Sequence, residues 1–121
     1  MTVNNKARVY VVDDDESIRK TLKRMIRFAG LEARVFESAE AFLEGVDWTD
    51  CKCLVLDVHL PGISGIELQH RINLANHKIP IIFMSANADQ RTLDAAMKAG
   101  ALGFLRKPFL KDSLLEAIQA A

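Results

Sequence analysis

The sequence is short of several things, and each shortage excludes a class of function. Among 121 residues there are two cysteines, Cys51 and Cys53. At i, i+2 of one strand they point the same way, and residues so placed make a poor disulfide. Zinc would need more ligands, and His59, His70 and His77 do not supply a ligand-spaced set. The pair reads as small, apolar-like residues entering a strand in a reducing compartment. There is no excess of charge, with sixteen Lys and Arg against sixteen Asp and Glu. Without a basic surplus to release counterions from a phosphate backbone, the chain is not expected to bind nucleic acid itself. No apolar run approaches the ~20 residues of a membrane span, so no membrane is expected. Met1 to Lys6 is polar and lacks the apolar stretch of a signal peptide, which makes cytoplasm the default location. The single tryptophan, Trp48, falls in an expected Asp47 to Lys52 loop and reads as loop packing. No repeat or low-complexity segment is present. Half the residues are hydrophobic, which argues against disorder. A chain of this length fits one domain, residues 1–121, able to bury roughly two-thirds of its unfolded surface.

What is present alternates between two periods. Arg8 to Val12 is a mostly apolar strand that stops at Asp13-Asp14-Asp15-Glu16. From Ser17 a helical period takes over, with Ile18, Leu22, Met25, Ile26 and Ala29 on one face and Gly30 placed to end it. Leu31 to Phe36 alternates Leu31, Ala33 and Val35 with Glu32 and Arg34, which suits an edge strand. Ser38 is placed to cap a short helix with Ala39, Phe42, Leu43 and Val46 inward. Cys53 to Asp57 reads as a strand buried on both faces, and Pro61 to Gly65 as a glycine-bearing loop. A helix with Leu68, Ile72 and Ala75 follows. Ile81 to Met84 is a strand ending at Ser85. Asp89 is placed to cap a helix with Leu93, Ala96 and Met97 inward, closed by Gly100. Leu102 to Leu105 is a fifth strand, broken at Lys107-Pro108. Leu114, Ala117, Ile118 and Ala121 mark a last helix. This βα alternation predicts an α/β fold: a doubly wound, five-stranded parallel sheet in a three-layer sandwich, strand order 2-1-3-4-5.

In such a sheet, ligands sit beyond the carboxyl ends of the strands, where strand order reverses. The expected residues there are Asp13 and Asp14 after strand one, Asp57 after strand three, Ser85 after strand four and Lys107 after strand five. Each has a plain structural reading. The acidic run favours a helix N-terminus, Ser85 satisfies a turn, and Lys107 is a solvated lysine. Their joint occurrence at equivalent strand ends is what points to a site. Three close carboxylates repel one another unless a cation joins them. Oxygen ligands that leave room for water suit Mg²⁺. Asp57 can then act as a carboxylate nucleophile toward phosphorus. Lys107 offers a charge, and Ser85 a hydroxyl, for phosphoryl oxygens.

The motifs Val11-Val12-Asp13-Asp14, Leu54 to Gly62 with Gly65, Met84-Ser85-Ala86, Ala99-Gly100-Ala101, Phe104 and Lys107-Pro108-Phe109 stand in order along essentially the whole chain. In this the sequence resembles the receiver domain of bacterial two-component response regulators, whose sheet is flavodoxin-like. The resemblance implies that Asp57 accepts a phosphoryl group from a phosphohistidine on a sensor histidine kinase. It implies Mg²⁺ on Asp13 or Asp14, Asp57 and the backbone carbonyl of His59, with Ser85 and Lys107 as phosphate contacts. Phe104 matches an aromatic switch position that responds as Ser85 moves. A cis Lys107–Pro108 bond is implied as well. His59 and Asn87 stand two residues beyond Asp57 and Ser85, near the path of attacking water, and are expected to tune phosphate lifetime. The only catalysis implied is of the domain's own phosphorylation and dephosphorylation. The fourth helix, fifth strand and fifth helix, about Asp89 to Ala121, are the implied signalling and dimerisation surface. The sequence is similar in style to receivers that precede a helix-turn-helix domain controlling transcription.

Three other readings share parts of this pattern. An FMN-binding flavodoxin needs a phosphate loop after strand one, where this chain has four acids. A haloacid-dehalogenase-like phosphatase has a second Asp where this chain has His59. A degenerate receiver that only docks would not need Asp13, Asp14, Asp57, Ser85 and Lys107 together.

Overall fold

The computed structural model describes residues 7–121; the polar start, Met1 to Lys6, lies outside the described residues. Strands and helices alternate as β1 (Arg8–Val12), α1 (Glu16–Phe28), β2 (Glu32–Phe36), α2 (Ala39–Gly45), β3 (Cys51–Asp57), α3 (Gly65–Leu74), β4 (Ile81–Ser85), α4 (Gln90–Lys98), β5 (Gly103–Arg106) and α5 (Lys111–Gln119). The five strands pair in parallel in the order β2-β1-β3-β4-β5. The half-wet β2 is an edge and the greasy β1 and β3 are central, as their side chains demand.

Because strand side chains alternate between faces, an unbroken apolar strand feeds two cores at once. Val9, Val11, Cys53, Val55, Ile82 and Met84 pack with Leu22 and Ile26 of α1 and Leu114 and Ile118 of α5. Tyr10, Val12, Leu54, Leu56 and Phe83 pack on the opposite face with Phe42 of α2, Leu68 and Ile72 of α3 and Ala96 of α4. Trp48 packs its edge on Phe42 at 5.7 Å and stacks on His77 at 3.8 Å, tying the α2–β3 loop to the segment after α3.

Four helices start on side-chain caps, from Asp15, Ser38, Ser64 and Asp89. The acidic run after β1 therefore splits its duties. Asp15 accepts from the N–H groups of Ser17 and Ile18, while Asp13 and Asp14 are left for another role. Gly30, at φ +83°, follows the end of α1, the left-handed position that glycine takes most readily.

Several boundaries differ from the sequence reading. β3 starts at Cys51 rather than Cys53, because Arg8 pairs with Cys51 and Val9 with Cys53, leaving Lys52 as an extra residue in the ladder. β5 runs from Gly103 to Arg106, one residue later than expected, and Leu102 is exposed. Leu43 and Met97, assigned to inward faces, are exposed as well. Each lies one residue, about 100° of helix, beyond the residue that centres its helix on the core, Phe42 and Ala96. Ala29 and Ala75 stand past their helices as C-caps. A polar clasp between α3 and α4 had no signal in the residue pattern. Gln69, fully buried, and Asn73, one turn on, donate side-chain N–H bonds to the carbonyls of Ala96 and Ala99, each at 3.0 Å.

Candidate functional site

The carboxyl ends of β1, β3 and β5 bring one buried cluster together. Asp13 follows β1 directly and is wholly buried. Arg19 donates to its carbonyl oxygen at 2.8 Å, and the Asp15 N–H donates to its Oδ1 at 2.9 Å. Asp57 ends β3 and is 5 % exposed, with its Oδ1 accepting from the His59 N–H at 3.1 Å. Lys107, just past β5, reaches both acids: its Nζ lies 2.6 Å from Asp13 Oδ2 and 3.3 Å from Asp57 Oδ2. Asp14 is exposed at the rim. One carboxylate oxygen from each of Asp13, Asp14 and Asp57 lies within 4.8 Å of the others, the one such cluster among the described residues.

The remaining expected residues lie around this centre. Ser85 is wholly buried at the end of β4, and its Oγ accepts from the Asn87 N–H at 3.1 Å. Its carbonyl accepts from the Lys107 N–H at 2.9 Å, so the serine and lysine share a backbone bond. A hydroxyl that accepts one bond still has a proton to donate. His59 and Asn87 are exposed in the β3–α3 and β4–α4 loops. Phe104 is half-buried, packed against the core on the α2–α4 face, and pairs in register with Phe83. The Lys107–Pro108 bond is cis, as the resemblance implies.

Two residues that hold the site in place were not picked out for that purpose by sequence reasoning. A side chain at Gly65 would run into the carbonyl oxygen of Asp57, so the start of α3 packs bare backbone against the end of β3. Glu40, on α2, accepts from the Ile63 N–H in the β3–α3 loop at 3.2 Å. Gly65 was visible as a motif residue, but its close approach is tertiary. Glu40 carried no local signal at all.

Electrostatics set the cluster's chemistry. Burial pushes the Asp57 carboxyl above its usual range, and the negative charge of Asp13 adds to this. The His59 N–H and Lys107 pull the other way without prevailing. Burial would by itself lower Lys107, but its bond to Asp13 and the charges of Asp13 and Asp57 outweigh that and raise it. When ionised, three carboxylates against one ammonium leave a formal charge of −2, which one divalent cation would balance. The donors are all oxygen and Asp14 is open to water, a set that fits a hard, hydrated cation better than zinc.

The site is thus an acidic, lysine-braced cluster at the strand reversal of an α/β domain, built from carboxylates rather than from a glycine-rich loop. The chain belongs to the response regulator receiver domain family, whose model matches residues 9–119. The response regulator protein TmoT of Ectopseudomonas mendocina is 42% identical over 113 residues, covering 93% of this chain and 51% of that protein. The transcriptional regulatory protein FixJ of Bradyrhizobium diazoefficiens is 37% identical over 119 residues, 98% of this chain and 58% of its own. The solved structure of response regulator StyR superposes with a TM-score of 0.89 at 46% identity, covering 95% of this chain and 58% of that one. The chain spans about half the length of the curated relatives it matches. The family implies a sensor kinase as partner, and the phosphatase reading is not favoured. No helix among the described residues is long and apolar enough to cross a membrane.

Proposed function

We propose that this chain is a phosphorylation switch in which Asp57 takes a phosphoryl group from a kinase phosphohistidine. The observation that carries the reading is Lys107 bridging the buried Asp13 and Asp57 carboxylates at the strand reversal. An Asp57 carboxylate oxygen attacks phosphorus, the P–N bond breaks, and the histidine leaves with the bonding pair and is protonated. The product is an acyl phosphate on Asp57. Lys107 is placed to release its acids and meet a phosphoryl oxygen, and the buried Ser85 hydroxyl to donate to another. Asp13, Asp14, Asp57 and the backbone carbonyl of His59 would hold Mg²⁺. Bound there, the cation neutralises charge on the phosphoryl oxygens. His59 and Asn87, both exposed at the rim, bear on how readily water reaches the acyl phosphate. Phe104 and Ser85 carry the change outward to α4, β5 and α5. There the exposed Met97 and Leu102 offer apolar surface for a second copy. Relatives are named as transcriptional regulators, and the switch would act on transcription through an output outside these residues.

Acetyl phosphate tests the phosphoacceptor directly. Intact mass should show one added phosphoryl group with Mg²⁺, and none with EDTA or in Asp57→Asn. A label that persists in Asp57→Asn would sink the assignment.

A further inference from the structure

The β3–α3 loop carries the His59 carbonyl; Leu60 anchors it in the core, Ile63 packs beside it and Ser64 joins it to α3. Within His59–Ser64, the His59 N–H bonds back to Asp57 Oδ1. Among the described residues, the hydrogen bond that ties this stretch to an element other than its own flanking strand and helix runs from the Ile63 N–H to Glu40 Oε2 on α2, at 3.2 Å. Gly62 makes room for it. A Cβ at Gly62 would stand 2.5 Å from the same carboxylate oxygen, and the φ of +72° suits glycine. Glu40 is itself firmly mounted, in the first turn of a helix capped by Ser38 and anchored in the core by its neighbours Ala39 and Phe42.

We propose that Glu40 is a positioning residue, latching the β3–α3 loop so that the His59 carbonyl stays where the cation's oxygen ligands are completed. The latch rests on the phosphoacceptor reading above. It works through a hydrogen-bond acceptor and not through charge, so a neutral side chain of equal reach serves as well. Losing one such bond loosens the loop by roughly three- to tenfold in its opening equilibrium.

Two readouts test it in wild type, Glu40→Ala and Glu40→Gln. In metal-free protein, the Ile63 amide should exchange with deuterium roughly three- to tenfold faster in Glu40→Ala. The Val58 and Gly65 amides, which bond to Met84 and Val58, should be unchanged. Calorimetric titration with Mg²⁺ should show a comparable loss of affinity. Glu40→Gln should restore both. The proposal is overturned if Glu40→Ala matches wild type. It is equally overturned if Glu40→Gln is as impaired as Glu40→Ala, since the effect would then be the carboxylate's charge. Failure of the underlying reading looks different: wild type itself would neither bind Mg²⁺ nor take up phosphate, while the Ile63 amide would still report on the latch.

Discussion

Lys107 is the residue on which the site's stability turns. Its ammonium is the partner of a wholly buried Asp13 and of Asp57. Removing it leaves two buried acids facing each other, which costs on the order of 3 kcal/mol in metal-free protein. Lys107→Ala should therefore unfold at lower urea than wild type in EDTA, and saturating Mg²⁺ should recover more stability in the variant than in wild type. Asp57 predicts the opposite sign. Its carboxyl is raised by burial and by Asp13, so the folded state holds the proton longer than the unfolded chain. That contribution is fully present below the ordinary carboxylate range and is lost as pH rises through the raised value. Asp57→Asn should match wild type in stability at the acid end and exceed it increasingly toward neutral pH, in EDTA, by chemical denaturation. A constant difference across pH would contradict this. The cluster's members were legible in the sequence because each ends an apolar strand, and strand ends in this topology share one edge. Glu40 and Gly65 were not legible as supports, because their work depends on a helix approaching a loop or a strand from elsewhere in the chain.

At the scale of elements, strand order followed from burial: Glu32 and Arg34 mark β2 as an edge, and Leu54 to Leu56 mark β3 as central. The failures were local. Nothing in Cys51-Lys52-Cys53 announces a residue out of register against β1. Nothing marks Leu102 as solvent-facing when Ala101, beside it, is buried. The approach of α3 to β3 predicts that Gly65→Ala shifts the Asp57 backbone. It should cost about 1–3 kcal/mol and slow phosphorylation by acetyl phosphate, whereas Gly103→Ala, with open space around it, should leave the phosphorylation rate unchanged. The start of β3 predicts thiol behaviour. Burial pushes Cys53 up to about 11, and burial with the neighbouring Cys53 and Asp50 pushes Cys51 up to about 12. Iodoacetamide near pH 8 should label the native thiols far more slowly than the denatured ones. The linked stability is present below the unfolded thiol range and fades as pH climbs toward these values.

For the molecule as a whole, zero net charge and two cores on one sheet describe a rigid mount with a charged centre at one edge. Met97 on α4 and Leu102 just before β5 are exposed, and the proposed second copy would rest on them. With beryllofluoride and Mg²⁺, sedimentation should shift from monomer toward dimer, and Met97→Lys should suppress the shift. Equal sedimentation with and without beryllofluoride would remove the dimer from the account. The central claim is the chemistry at Asp57. Protein incubated with acetyl phosphate and Mg²⁺ can be reduced with borohydride, which converts an aspartyl phosphate to homoserine, and the peptides mapped by mass spectrometry. The account predicts homoserine at position 57; homoserine at 13 or 14 instead, or at no position, would contradict it.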